Sequence, residues 1–307
     1  MLPSSRVPAL THIPPAAFSV TAVFLWGMSD FAGGYGSRRA NAFVLTAFSH
    51  ICAFALMFTL ALATHGAFPS RTSILWALAA GAIGGFSIAV FYRSLAAGQM
   101  GLTAPIGALL GAAIPTLVDV ALEGAPTRWM IAGFALAILA IWLITRPEPR
   151  RDQNNNGNGD NGENDSANDD SGRPKGVATA ALAGVGFAGF YLCVHQATGS
   201  PIWIATISRI GSFTATAIAL LVIRVPLSLD RSSAAFGMFA GCFDIIGSAL
   251  FVFASQHGRL DEAVVITSLY PAVTVLLARL VLKERFSPWK LAGLLAALAA
   301  VPLIAGG

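Results

Sequence analysis

The chain has 307 residues, of which 55% are hydrophobic and only 11% charged, with a formal net charge of +4. A water-soluble domain carries about 25% charged residues, so this composition excludes an ordinary soluble globule, and a mean hydropathy of +0.69 makes lipid the solvent for most of the surface. Nor does the basic excess indicate a nucleic-acid binder, because Lys and Arg fall in short clusters between apolar runs and not along one stripe.

A hydrocarbon core about 30 Å thick is crossed by roughly 20 apolar residues of helix, since backbone groups in lipid must be satisfied within their own segment. Arg6 precedes the first apolar run without a small-residue cleavage pattern after it, so a retained first span is expected there. That run, 16–35, carries Asp30 toward its end. Span 2, 42–64, contains His50 and Cys52; span 3, 73–95, contains Gly81, Gly84 and Gly85 and closes on Arg93. The small residues allow close helix contact. Span 4, 102–122, holds Pro105 and Pro115 with Asp119 near its end, and span 5 follows at 128–145.

The tract 147–175 then interrupts the pattern. Its centre, 152–172, is almost wholly Asp, Asn, Gly, Ser and Glu, too polar to offset the entropy of ordering, and it reads as a disordered linker. Asn164-Asp165-Ser166 fits a glycosylation sequon, a match expected by chance in so Asn-rich a tract. Five further runs follow at 177–197, 202–223, 234–256, 262–282 and 288–305. The first contains Gly184-Val185-Gly186-Phe187-Ala188-Gly189, a GxGxxG that follows no strand and so predicts no dinucleotide site. The second has Arg209, the third Asp244 with Gly237 and Gly241, and the fourth Tyr270-Pro271 and Arg279. Cys52, Cys193 and Cys242 all sit in apolar runs without metal-ligand spacing.

Residues about 160 apart correspond across the linker. Trp129 meets Trp289, Gly98 meets Gly258, Gly133 meets Gly293 and Phe91 meets Phe251. The expected fold is therefore an all-α polytopic membrane protein of ten spans, with repeats at 16–146 and 176–306. Five spans is an odd number, so the second half enters the membrane in the opposite direction. Inverted repeats around a midplane site are a frequent architecture of secondary transporters. Connections 1-2, 3-4, 5-6, 7-8 and 9-10 hold thirteen Lys and Arg against four on the other side, which predicts a cytoplasmic linker and external termini.

Three stretches carry a resemblance. Trp26-Gly27-Met28-Ser29-Asp30-Phe31, Phe91-Tyr92-Arg93-Ser94-Leu95-Ala96-Ala97-Gly98, and Ser268-Leu269-Tyr270-Pro271 onward to Arg279 resemble EamA-type members of the drug/metabolite transporter superfamily. The resemblance covers both halves but not the polar tract. It implies a ten-helix carrier of two EamA repeats in the cell membrane that moves small organic molecules, often exporting amino acids or related metabolites, without hydrolysing ATP. It also implies both termini in the cytoplasm, opposite to the charge count. The family's acidic turn after the fourth helix of each repeat is matched by Lys283-Glu284-Arg285, and less well by Glu123-Gly124.

Ionisable residues inside apolar runs are the sharpest pointers to a site, because a charge near a helix centre costs about 2.5–3.5 kcal/mol on insertion scales. Asp30 and Arg93 end spans on the same side, which allows them to pair. Asp244 and Arg209 differ by roughly 7 Å in depth at a rise of 1.5 Å per residue and pair only with long reach. Each pair holds helices together or contacts substrate or a proton. Arg279 and Asp119 lie near helix ends and read as interfacial. His50 and His195 are more simply hydrogen-bonded within the bundle than linked in a proton relay. Pro105 and Pro115 in span 4, and Pro271 in span 9, are either simple kinks for packing or breaks in corresponding helices, with freed carbonyls and Tyr270 lining a site between the repeats.

No HExxH, GxSxG or P-loop pattern is present, and the residues call for neither metal nor cofactor. An enzyme is not expected. The expected partners are a small-molecule substrate and the lipid bilayer. Ten spans can close a monomer, and a homodimer is also compatible. The rival reading is a membrane scaffold or sensor without transport, which has little use for buried charges or paired helix breaks.

Overall fold

The computed structural model describes residues 14–96, 100–123, 126–145, 177–282 and 288–305. The polar tract, Gly98, Gly124 and the Lys283-Glu284-Arg285 turn lie outside the described residues. Every regular element described is helical: α1 (Pro15–Gly36), α2 (Ala42–Thr64), α3 (Arg71–Ala96), α4 (Met100–Glu123), α5 (Arg128–Thr145), α6 (Val177–His195), α7 (Pro201–Ile223), α8 (Arg231–His257), α9 (Leu260–Thr267), α10 (Tyr270–Leu282) and α11 (Pro288–Ala305).

Local chemistry sets several ends. Pro15 and Pro201 open α1 and α7, where a missing N–H costs nothing. The Asn41 side chain accepts from the Phe43 N–H at 2.9 Å and so caps α2. Asp230 caps α8 by accepting from the N–H groups of Ser232 and Ser233. Helices α2 and α7 end on residues in the left-handed region, His65 at φ 51° and Arg224 at φ 55°. His65 and Arg224 are themselves about 160 residues apart.

Among the described residues, seven segments are long and apolar enough to cross a membrane, the last of them the combined run Leu260–Leu282 formed by α9 and α10. Large apolar side chains face outward along them, among them Phe24, Leu75, Leu221 and Val222. That is the surface of a protein dissolved in lipid, and the chain is a multi-pass membrane protein. Helix α5 contributes a shorter apolar stretch, Arg128–Ala140.

The tightest packing runs between the halves: α1 on α8, α3 on α6 and α7, α2 on α7 and α8, α4 on α6, α1 on α10, and α5 on α11. Packing within a half, such as α2 on α3 or α4 on α5, is sparser. Neither half is a separate body. Exchanging the halves maps this pattern onto itself: α1 on α8 becomes α6 on α3, and α3 on α7 becomes α8 on α2.

Small residues let these crossings close. A Cβ at Gly81 would meet the backbone of Ser208, and one at Gly241 the backbone of Ser49. Ser212 Oγ donates to the Gly81 carbonyl at 2.9 Å, tying α7 to α3, and Ser29 Oγ donates to the Ala240 carbonyl at 2.9 Å, tying α1 to α8. Within α6, Gly184 lies against Gly107 of α4 and Gly186 against Ser87 of α3, so the GxGxxG match is a packing face.

The pair of helix breaks that the prolines allow becomes a single one. Span 9 is interrupted at Ser268 and Leu269, between α9 and α10. Pro271 has no N–H to give the Thr267 carbonyl, and tighter bonds replace the helical ladder there, from Leu269 N–H to Ile266 and from Ala272 N–H to Leu269. In contrast, α4 runs without interruption through Pro105 and Pro115. One missing bond per proline is tolerated in a membrane helix supported by its neighbours.

Candidate functional site

Between the halves lies a cavity of about 510 Å³ counted to its open side, of which water centres can occupy about 50 Å³. At 10–15 Å³ of such space per water, that holds roughly four waters. Six helices line it. Helix α1 contributes Trp26 and Asp30, α3 Gly84 and Ile88, and α6 Phe187, Phe190 and Tyr191. Helix α7 supplies Arg209 and Ser212, α8 supplies Asp244 and Ser248, and α10 supplies Tyr270, the first residue after the break in span 9.

Arg209 and Asp244 form the ion pair that the sequence allows, with Nη1 of Arg209 2.5 Å from Oδ2 of Asp244. The second guanidinium nitrogen, Nη2, reaches Ser248 Oγ at 3.4 Å. The depth difference is absorbed by the long arginine side chain, which is only 5% exposed. Trp26 Nε1 donates to the Asp244 backbone carbonyl at 3.2 Å, which fixes α1 against α8 at this level.

Two donors at the cavity have no acceptor among the described residues, Nε of Arg209 and the Tyr270 hydroxyl. Asp30 is 5% exposed, lines the same space, and takes no hydrogen bond or ion pair from any described residue. An aromatic wall surrounds these groups. Trp26 lies 6.0 Å from Tyr191 and 6.3 Å, edge-on, from Tyr270, measured between ring centroids. Phe91 stacks edge-on to Phe187 at 5.3 Å, and Phe251 packs on Trp26 at 5.6 Å, each joining the third helix of one half to the first helix of the other. Among the described residues, no group of three or more His, Cys, Asp or Glu is placed to hold a metal ion.

The cavity thus gathers three ionisable side chains, Asp30, Arg209 and Asp244, from three different helices. The family profile of EamA-like transporters matches the chain twice, over residues 14–146 and 174–306. The chain belongs to the EamA-like transporter family. Members are secondary transporters of small molecules and not enzymes, and this chain carries small molecules across the membrane. No curated protein matches the chain. Sixteen solved chains do match. One, a crystal structure described only as that of a protein, aligns over 94% of this chain and 95% of its own with a TM-score of 0.65 and 14% identity, a likeness of fold.

Within this EamA-like transporter, Asp30, Arg209, Asp244 and Tyr270 meet at one cavity, and Arg93 does not. The pairing of Asp30 with Arg93 that the spans allowed is not formed. Arg93 is exposed and lines a second cavity with Ser37, Asn41 and Phe43, at the turn joining α1 to α2. Asp30 shares its cavity with residues of α8 and α10, while Arg93 is exposed beside Ala42 and Phe43 at the start of α2. Pro271 adjoins the cavity through Tyr270, whereas Pro115 is not among its described lining residues and the side chain of Pro105 lies outside the described residues. His50 and His195 do not line it either, and each has a ring nitrogen without a partner.

Residue-by-residue reading missed the aromatic wall and the serines. Trp26, Phe187, Phe190 and Tyr191 look like ordinary apolar positions in an apolar run. The one available signal was position: Trp26 is a turn before Asp30, and Tyr191 lies about 160 residues beyond Asp30. Gly84 and Asp244, both at the cavity, are also 160 apart.

Proposed function

We propose that this EamA-like transporter works as ten spans in two inverted five-helix repeats and exports small organic metabolites, amino acids or their relatives, by alternating access at the cavity between the halves. The carrying observation is that three charged side chains, Asp30, Arg209 and Asp244, and two unsatisfied donors converge on one buried space. A scaffold would satisfy those donors internally, because an unpaired buried polar group costs about 1–3 kcal/mol. A carrier needs them free for its solute.

The exchange pattern of the helix packing supports the inverted-repeat reading, as do the two left-handed caps at His65 and Arg224. Trp129 and Trp289 begin α5 and α11, are 55% and 53% exposed, and suit the aromatic belts of opposite membrane faces. In such an architecture the solute site stays fixed while similar halves exchange conformations around it. The break before Tyr270 gives span 9 a place to bend.

The test is efflux from proteoliposomes loaded with a panel of amino acids and small metabolites, with Asp244→Asn in parallel. The expected result is a protein-dependent flux that falls at least tenfold in the variant. Absence of flux for every compound would move the assignment to a scaffold or sensor.

A further inference from the structure

The charges at the cavity do not balance. Asp30 and Asp244 are its acids and Arg209 is the only base among the described lining residues, leaving one negative charge in excess. Arg209 is committed to Asp244. Asp30 is therefore a carboxyl group buried in an apolar bundle with no counter-ion among the described residues, an arrangement that is costly until a cation or a proton joins it. Its neighbours in the wall are the rings of Trp26, Tyr191 and Tyr270, whose faces attract cations. The same space presents two donors, Arg209 Nε and the Tyr270 hydroxyl, which call for an acceptor and not for more positive charge.

Resting on the transporter reading above, we propose that the solute is a small organic amine of net charge +1 that also carries a neutral hydrogen-bond acceptor. Its ammonium group sits at Asp30 against the aromatic rings, and its carbonyl or hydroxyl oxygen accepts from Arg209 Nε and Tyr270. Charge bookkeeping separates this class from its rivals. A zwitterion leaves the excess negative charge in place, an anion doubles it, and a bare amine neutralises it but leaves both donors empty. A proton at Asp30 also neutralises it but fills neither the donors nor the aromatic space.

Four compounds of one size distinguish these cases: phenylalaninamide, phenethylamine, phenylalanine and hydrocinnamate. Binding is measured calorimetrically on the full chain in lipid nanodiscs at pH 6, where the amide's α-amino group, which ordinarily titrates near 7.7–8.0, is protonated. Phenylalaninamide is expected to bind at least tenfold more tightly than phenylalanine or hydrocinnamate and several-fold more tightly than phenethylamine. In Asp30→Asn the preference of amide over acid should collapse, and in Asp30→Glu it should return. Equal affinity for phenylalanine and its amide in the unaltered protein overturns the inference whether or not any variant folds, as does binding of none of the four. Either result leaves the transporter reading standing if the efflux panel shows flux. An efflux panel without flux removes that reading instead.

Discussion

Arg209 and Asp244 stabilise the bundle only as a pair, because each alone is a charge buried without compensation. Removing one partner of such a pair costs about 3–5 kcal/mol, while removing both is often close to neutral. Arg209→Gln and Asp244→Asn should each lower the melting temperature in detergent, and the double variant should recover most of the loss without recovering flux. A double variant that melts as low as the singles would show that the pair is not the unit of stability. Asp230 is a solvent-side counterpart with a defined sign. The Ser233 hydroxyl beside it and the N–H groups of Ser233 and Ser232 hold its carboxyl below the usual carboxylate value. Its capping contribution is thus present above the unfolded value near 3.9 and is lost as pH falls through the lower folded one. Melting temperatures of the unaltered protein and Asp230→Ala should differ at neutral pH and converge in acid. At this scale the sequence disclosed which residues were costly to bury, and so flagged Asp30, Arg209 and Asp244. It did not disclose their partners, since helix rotation, about 100° per residue, decides which face each one points to.

Span 9 is one apolar run divided into α9 and α10 by a feature the sequence makes legible. Pro271 removes a specific bond, and Thr274 Oγ1 in the next turn donates to the Gly27 carbonyl at 3.1 Å, holding the lower segment on α1. A Pro271→Ala substitution returns an N–H to the Thr267 carbonyl, so the helix should straighten and thermal stability should rise or hold. Flux should fall at least several-fold, because Tyr270 would turn relative to the cavity. Unchanged flux would sink the view that the break positions this residue. Prolines in α4 looked equivalent on paper, yet that helix is continuous. Whether a proline breaks a membrane helix or is tolerated within it depends on what packs beside the carbonyl it frees. Close crossings are a firmer reading of sequence. Gly81→Val and Gly241→Val should each destabilise the protein by about 1–3 kcal/mol, the overpacking range, since both added side chains would run into backbone. A chain in which only one of the two is sensitive would argue against equivalent crossings in the two halves.

Across the whole molecule, the inverted-repeat proposal makes the turn between α1 and α2 and the turn between α6 and α7 face opposite sides of the membrane. Ala40→Cys and Gln196→Cys should label with a membrane-impermeant maleimide from opposite faces, after Cys52, Cys193 and Cys242 are replaced to remove background. The Lys and Arg count places Ala40 in the cytoplasm, and the family resemblance places it outside, so the same experiment decides orientation. Labelling of both positions from one side would end the inverted reading. The sequence by itself determined that this chain lives in lipid, where its apolar runs lie, and that its halves correspond. These are properties of composition and spacing, which are local or additive along the chain. Only the tertiary structure decided that Asp30 stands without a counter-ion among the described residues, that Arg93 turns away to another cavity, and that aromatic side chains from α1, α6 and α10 form the wall around the charges. Those outcomes depend on how far each helix is rotated and how closely it crosses its neighbours. Rotation and crossing are set jointly by small residues on both partners, such as Gly81 with Ser208 and Gly241 with Ser49.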